Sequence, residues 1–369
     1  MVSTSYPKDD QDWRGRFIAD MIQALCTSNS PSPLSVDLWA PPGIRPSEAG
    51  NAALPAESAW LQQLAAQGGI AHVLRTKGPR GLTTIIGLLR HLRHAYRRNA
   101  QVDLVHVNWL QNALPLWGTS TPAIVSVLGS DFGLLRIPGM TFMLRAVLKQ
   151  RKCILAPNAE WMAPKLRQYF GDIAEIVAIP FGVEKTWFAL ERKLSENTAP
   201  QWLAVTRLTR NKVGDLLQWG SGLFGAHRKL HLFGPMQEEM ALPSWISYHG
   251  PTNPSELQNK WFPSATGLIT LSRHDEGRPQ VMLEAMAAGL PVIASDLPAH
   301  RDLIVHRETG WLATSPESLR EGLSFLDDPD NNRQIGASAR AWVTNRVGTW
   351  DDCAKRYQSS YRFLVEHAQ

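Results

Sequence analysis

The sequence predicts an α/β protein of two domains, each built on a parallel β-sheet. Three observations support this prediction. The chain has 369 residues, more than one ordinary domain and enough for two of roughly 150–200 residues. Short apolar segments alternate with amphipathic ones, as strands and helices do in parallel sheets. The alternation weakens after Ile179–Val183 and restarts at Trp202, so we expect the domain boundary there.

The predicted organisation has four parts. Residues 1–182 form an N-terminal acceptor-binding domain, 183–199 a linker and 200–345 a donor-binding domain, while a C-terminal helix in 346–369 crosses back to the first domain. Both domains are expected to be Rossmann-like and to face one another across a cleft. Ligands are expected in this cleft, since parallel α/β sheets bind them at the carboxyl ends of their strands.

The elements follow in order along the chain. In the first domain an amphipathic helix is predicted over 82–98, and strands over 103–107, 123–127 and 151–156. In the second domain the predicted strands are 202–205, 229–233, 246–249, 266–271 and 291–294. Helices are predicted at 215–222, from 255, at 279–288, from 316 and over 337–361.

Composition indicates a globular protein of the cytoplasm. The chain is 44% hydrophobic and 19% charged, and it contains neither an apolar run of about 20 residues nor a signal-peptide layout. Its three cysteines, Cys26, Cys153 and Cys353, have no metal-binding or redox spacing, so free thiols are expected.

Positive charge is concentrated in the first domain. The net charge is +5, and basic residues cluster over Arg75–Arg98 and Arg145–Lys152. This asymmetry indicates an anionic partner, either a lipid surface or a phosphate-bearing acceptor, and favours these over nucleic acid. The helix over 82–98 is most simply a crossover helix packed on the sheet, but its polar face is also compatible with peripheral membrane contact.

The segment Ser272–Ser295 carries the most chemical information. It reads as strand, loop, helix and strand, with Pro279 suited to the first helical turn and Gly289 to the C-terminal cap. A helix N-terminus offers unpaired N–H groups and a partial positive charge, which suit a phosphate. Glu276 and Glu284 supply carboxylates that accept hydrogen bonds from hydroxyls. In isolation both would be ordinary solvated residues; together they fit a ligand with a sugar, a diphosphate and a ribose.

This segment resembles the family-four retaining glycosyltransferases, the glycosyl transferases group 1, which have the GT-B fold. Their signature is Glu, seven residues and Glu, with Gly-x-Pro after the first and Glu-Ala-Met-Ala-x-Gly-x-Pro-Val-Ile-Ala around the second. Further similarities follow in the family's order at Gly129–Asp131, Phe181–Val183, Val205–Lys212 and Leu232–Pro235. The resemblance covers most of the chain and is densest over 200–310.

The resemblance implies a donor site and no metal. Arg207 and Lys212 would clamp the donor diphosphate, Glu276 would hold the sugar and Glu284 the ribose. Backbone groups would be offered by the glycine turn and by the loop before the helix, at Gly234, Gly277, Arg278, Pro279 and Gln280. The loop after strand one would bring Gly15 to a phosphate, although a plain turn glycine is an equal alternative. The acids Asp9, Asp10 and Asp12 are expected to be solvated, and no cofactor is expected.

The acceptor side departs from the family. Many members carry a histidine where this chain has Leu128, so candidate catalytic residues shift to Asp131 and His106 besides Glu276. His106 lies within an apolar strand, where a core histidine is the commoner case. Retaining members are thought to work without an enzyme nucleophile, so the departure is tolerable.

The resulting prediction is a retaining glycosyltransferase. It would move a sugar from a nucleoside-diphosphate sugar to a glycan or lipid-linked acceptor in bacterial polysaccharide or lipopolysaccharide assembly. The main alternative is another enzyme on the same scaffold, a nucleotide-sugar epimerase or a phosphorylase. A carbohydrate- or nucleic-acid-binding protein without activity is the more distant one.

Overall fold

The computed structural model describes residues 1–9, 12–28, 34–193, 198–274 and 276–367. The chain divides into two compact units. The first comprises Met1–Phe181 together with Trp350–Gln369, and the second comprises Gly182–Thr349. Among the described residues, no helix combines the length and the apolar character needed to cross a membrane.

Two parallel sheets form the centre of the first unit. The strands are β1 (Val36–Leu38), β2 (Ala49–Asn51), β3 (Val105–Asn108), β4 (Ala123–Val127), β5 (Cys153–Pro157) and β6 (Glu175–Ile176). Strands β1 and β2 pair with each other, and the other four pair in the order β3-β4-β5-β6. Val2 bridges both Trp39 and Val107, so the N-terminal segment joins the two sheets. Strands β3, β4 and β5 are buried along their whole length. This agrees with their largely apolar sequences, which are typical of parallel strands covered on both faces.

Helices cover these sheets. They are α1 (Arg16–Thr27), α2 (Pro55–Ala66), α3 (Gly69–Lys77), α4 (Leu82–Arg98), α5 (Met140–Leu148), α6 (Ala163–Phe170) and, at the end of the chain, α15 (Trp350–Glu366). Helix α4 has the predicted bounds and buries Leu88, Leu92, Ala95 and Tyr96 in the core. It therefore packs on the sheet as the simpler interpretation of this helix predicted.

The second unit has one six-stranded parallel sheet. Its strands are β7 (Gln201–Val205), β8 (Lys229–Phe233), β9 (Ile246–Gly250), β10 (Gly267–Thr270), β11 (Val292–Ser295) and β12 (Trp311–Ala313), in the order β12-β11-β10-β7-β8-β9. The helices are α7 (Lys185–Phe188), α8 (Arg210–Val213), α9 (Leu216–Trp219), α10 (Pro254–Glu256), α11 (Gln280–Ala287), α12 (Pro298–Arg301), α13 (Pro316–Asp327) and α14 (Pro329–Arg346).

Three predicted segments differ from the structure. The helix predicted at 215–222 is shortened to the four residues of α9. The predicted linker 183–199 begins inside the second unit, because Val183 and the α7 residue Trp187 are buried in its core. The single helix predicted over 337–361 is two helices, since α14 ends at Arg346 and α15 begins at Trp350. Gly348 between them has φ 75°, a left-handed conformation that ends a helix and that glycine adopts without strain.

Candidate active site

The strand order of the second unit places a ligand-binding edge between β7 and β10. These strands are neighbours, but the chain leaves β7 toward β8 and β9 on one side and leaves β10 toward β11 and β12 on the other. At such a switch point the loops after the two strands diverge and leave a crevice at the carboxyl ends. Arg207 follows β7 and Glu276 follows β10, so the sheet brings both predicted residues to this edge.

An ion pair joins the two loops at this edge. Lys212 Nζ lies 2.5 Å from Glu276 Oε1, and each side chain is 14% exposed. Burial lowers the pKa of Lys212, the nearby Glu276 carboxylate opposes this shift, and the positive charge of Arg207 adds to it. The structure therefore gathers Arg207, Lys212 and Glu276, three of the predicted donor-site residues, around one point.

Backbone packing holds α8, the helix that bears Lys212, against the residues that follow β10. The N–H of Arg273 donates to the carbonyl of Asn211 at 2.8 Å. Gly214, which ends α8, has φ 57°, and a Cβ at that position would lie 1.9 Å from the carbonyl oxygen of Leu271. Only glycine permits this approach, so the local sequence fixes where Lys212 stands relative to the loop of Glu276.

The predicted glycine turn at Gly234 also needs a glycine, because another backbone segment approaches it closely. Gly234, directly after β8, has φ 131°, and a Cβ there would lie 1.8 Å from the carbonyl oxygen of Thr206. Tyr248 donates its hydroxyl hydrogen to the carbonyl of Gly234 at 2.8 Å. The turn after β8 is thereby packed against the residue that precedes Arg207.

The loop before α11 is braced by the side chains of two predicted residues. Arg278 forms an ion pair with Asp302, and both side chains are under a tenth exposed, at 6% and 9%. Gln280 donates from Nε2 to the carbonyl of Gly182 at 2.8 Å. Pro279 is the N-terminal cap residue of α11, and Gly277 is buried. The side chains of Arg278 and Gln280 thus hold the loop in place at the start of α11.

Glu284 lies on the accessible face of α11. Within this helix Gln280, Val281 and Glu284 keep partial exposure, whereas the other five residues are buried. Residues four apart share one face of a helix, so Gln280 and Glu284 stand in line along it. The position of Glu284 is compatible with the predicted ribose contact.

A buried polar cluster behind Glu276 was missed by the sequence analysis. Ser295 Oγ donates to the carbonyl of Ser272 at 2.6 Å, joining the ends of β10 and β11. His300 Nδ1 lies 2.7 Å from the carbonyl oxygen of Ser295. Ser272 Oγ accepts from the N–H of His274 at 3.0 Å. The sequence signal was faint: each serine directly follows an apolar strand, but nothing singled out His300 or Asp302.

His106, a candidate catalytic residue in the first unit, is engaged on both ring nitrogens. Nδ1 lies 2.7 Å from the hydroxyl of Tyr361 and Nε2 lies 2.8 Å from Oγ of Ser126. Burial lowers its pKa to about 3, and the positive N-terminus acts in the same direction. A neutral imidazole with both nitrogens bonded packs the core. The structure thus favours the core histidine over the catalytic interpretation of His106.

Asp131, the other acceptor-side candidate, braces two loops. Its carboxylate oxygens accept from the N–H groups of Leu110 and Leu128, each at 2.9 Å. The side chain is buried, and burial raises its pKa to about 6 against these stabilising hydrogen bonds. Asp131 therefore orders the turn at Leu128, where the family histidine would stand.

Gly15 is required by close packing within its own loop. It caps α1 with φ 68°, and a Cβ there would lie 2.6 Å from the carbonyl oxygen of Ser5. In the same loop Asp12 pairs with Arg14, Nε to Oδ1 at 2.9 Å, while Asp10 lies outside the described residues. In the part of the chain that the structure describes, no three His, Cys, Asp or Glu side chains are grouped so that they could hold a metal ion.

The fold is that of the GT-B proteins. The chain is similar over 99% of its length to 98% of the sucrose-phosphate synthase of Thermosynechococcus elongatus, with a TM-score of 0.71 and 17% identity. It is similar over 98% of its length to 99% of HepE of Anabaena, solved with UDP and glucose, with a TM-score of 0.64 and 13% identity. At these identities the likeness shows the fold, and the fold prediction is confirmed.

A family model matches part of the second unit. Residues 245–342, which include Glu276, Glu284 and His300, match the family model of the glycosyl transferases group 1. The match covers about a quarter of the chain and lies in the segment whose motifs predicted the resemblance.

Two curated proteins match shorter segments. The D-inositol 3-phosphate glycosyltransferase of Corynebacterium glutamicum is 29% identical over 132 residues, 35% of this chain and 31% of that protein. Glycosyltransferase 1 domain-containing protein 1 of Xenopus tropicalis is 32% identical over 85 residues, 23% of this chain and 24% of that protein. The matches thus span a third or less of these two relatives.

Proposed function

We propose that this protein is a retaining glycosyltransferase that uses a nucleoside-diphosphate sugar as donor. The observation that carries the proposal is the Lys212–Glu276 pair at the β7–β10 switch point, with Arg207 beside it. The two cations suit the diphosphate of such a donor, and the carboxylate suits the hydroxyls of its sugar ring. A neighbour in fold, HepE of Anabaena, was solved with UDP and glucose, which agrees with such a donor.

The reaction breaks the bond between the anomeric carbon and the diphosphate oxygen and forms a bond from that carbon to the acceptor oxygen. Arg207, Lys212 and the N-terminus of α11 stabilise the negative charge that develops on the diphosphate. Glu276 accepts hydrogen bonds from sugar hydroxyls, and Glu284 accepts them from the ribose. The acceptor proton passes to the departing phosphate oxygen, so no nucleophile from the chain is required.

A thermal-shift screen tests the donor site. Among UDP, GDP, ADP and CMP we expect one to raise the melting temperature of the protein, because a ligand at 100 times its Kd stabilises the native state by about 2.7 kcal/mol. For a chain of this size that corresponds to a rise of several degrees. No rise with any of the four nucleotides at millimolar concentration would contradict the proposal. Incubation with the nucleotide-sugar alone separates the alternative activity, because an epimerase interconverts sugars whereas a transferase gives only slow hydrolysis.

We place the acceptor at an anionic membrane surface, as a glycan or lipid-linked glycan of bacterial polysaccharide or lipopolysaccharide assembly, with the protein peripheral on the cytoplasmic face. The first unit carries exposed apolar side chains at Ile137, Phe142 and Met143, of which Phe142 is 76% exposed. Exposed basic residues flank this segment at Arg136 and Lys149. Apolar residues with neighbouring cations suit a lipid interface.

Vesicle sedimentation tests the membrane contact. We expect the protein to pellet with phosphatidylglycerol vesicles at low salt and the Phe142→Asp variant to pellet markedly less, because a charge replaces an inserting ring. Val305→Asp is the matched control, since Val305 is an exposed apolar residue of the second unit, 45% exposed. Equal pelleting of all three proteins, or none by the unaltered protein, would contradict the membrane proposal and leave the donor site unaffected.

A further inference from the structure

Among the residues that the structure describes, none satisfies one ring nitrogen of His300. The residue is fully buried on α12, the third element after the loop that bears Glu276. Its Nδ1 lies 2.7 Å from the carbonyl oxygen of Ser295, while its Nε2 is buried and has no hydrogen-bond partner in the described part of the chain. Buried polar atoms of native proteins are nearly always paired, and an unpaired one calls for an explanation.

The bond at Nδ1 fixes the chemistry of Nε2. A carbonyl oxygen only accepts, so Nδ1 must carry the proton. Burial lowers the pKa of His300, which keeps the ring neutral. Neutral imidazole protonated on Nδ1 has a lone pair on Nε2, and Nε2 is therefore an acceptor that needs a donor.

The surroundings of His300 are those of the donor site. The ring lies within electrostatic range of both Glu276 and Lys212, whose charges act on it in opposite directions. It is attached through Ser295 to Ser272, the residue four before Glu276 in the same loop. His300 thus belongs to the same carboxyl-terminal edge of the sheet as the Lys212–Glu276 pair.

We propose that His300 Nε2 accepts a hydrogen bond from a hydroxyl of the donor sugar, which makes His300 a sugar-binding residue of this site. The inference rests on the proposed function. A diphosphate does not suit this nitrogen, because phosphate oxygens are acceptors at neutral pH and an acceptor cannot pair with a lone pair. A sugar hydroxyl donates a hydrogen, and a ring with neighbouring hydroxyls can supply one to Glu276 and another to His300.

Two substitutions separate the two nitrogens. His300→Asn keeps an amide N–H near the position of Nδ1 and removes Nε2. His300→Gln places an amide oxygen near the position of Nε2 and removes the Nδ1 donor. His306→Asn is the matched control, because His306 is an exposed histidine six residues further on.

Calorimetric titration with UDP and with UDP-glucose tests the proposal; GDP and GDP-mannose replace them if the thermal-shift screen selects GDP. For His300→Asn we expect UDP to bind within about twofold of the unaltered protein and UDP-glucose to bind about 10-fold more weakly, the loss typical of one hydrogen bond. His300→Gln is expected to recover most of the sugar-dependent affinity even if its melting temperature falls. His306→Asn is expected to bind both ligands normally.

A purely structural role for His300 predicts a different pattern. In that case His300→Asn would weaken the binding of UDP and of UDP-glucose by the same factor, or would lower the melting temperature without weakening the binding of either ligand. Either result would overturn the proposal. If His300→Asn does not fold, His300→Gln decides alone. A UDP-glucose affinity about 10-fold below that of the unaltered protein, with the UDP affinity unchanged, would then overturn the proposal. Failure of the proposed function is recognised separately, because then the unaltered protein binds no nucleotide at all.

Discussion

The variant Glu276→Gln is expected to lose sugar transfer by about 10²–10³-fold in kcat while its affinity for the free nucleoside diphosphate stays close to that of the unaltered protein. The reason is the position of the carboxylate after β10, where it faces Lys212 and is compatible with the sugar part of the donor. Glutamine keeps the shape and one acceptor oxygen but loses the negative charge. Initial rates with saturating donor and acceptor, together with a titration of the nucleotide, measure the two quantities.

The control for this variant is Glu308→Gln, which changes an exposed acid of the same unit and is expected to leave both quantities unchanged. Activity of Glu276→Gln near that of the control would remove Glu276 from the mechanism. A loss of nucleotide affinity equal to the loss of rate would instead indicate that the pair with Lys212 merely holds the fold of the edge.

The elements of the segment that bears Glu276 and Glu284 could be predicted from the sequence because their evidence is local. The strand, the loop and the helix from Ser272 to Ser295 follow one another in the chain, and their apolar pattern and caps are visible in one segment. The same holds for α4, whose apolar face has the helical period. The proximity of Lys212 and Glu276 follows from one further rule, that the carboxyl ends of parallel strands lie at the same edge of a sheet.

The parts that the sequence did not reveal depend on pairings between distant residues. Nothing in the sequence links Arg278 to Asp302, or Ser272 to Ser295 and His300, because each contact arises from strand order and not from spacing. His106 shows the converse. Its place in an apolar strand left two interpretations open, and the hydroxyls that satisfy it come partly from Tyr361, 255 residues away.

The variant Lys212→Met is expected to weaken nucleoside-diphosphate binding by about 30-fold, or roughly 2 kcal/mol, because it removes a largely buried cation from the diphosphate. Methionine keeps the length and the apolar stem of the side chain, and the close approach of Gly214 to Leu271 is left unchanged. Lys229→Met, at an exposed position of β8, is the matched control and should bind normally. Calorimetric titration gives both values.

This effect and that of Glu276→Gln are expected to be opposite in kind. Lys212→Met lowers the affinity for the nucleotide whether or not a sugar is attached. Glu276→Gln lowers the rate of sugar transfer and leaves the nucleotide affinity unchanged. The 2.5 Å contact between Lys212 Nζ and Glu276 Oε1 makes each side chain the partner of the other. If the pair only stabilised the fold, both variants would lower the melting temperature together and change nucleotide affinity alike. Separate effects on affinity and rate would instead mean that a bound donor divides the pair, its diphosphate taking Lys212 and its sugar taking Glu276.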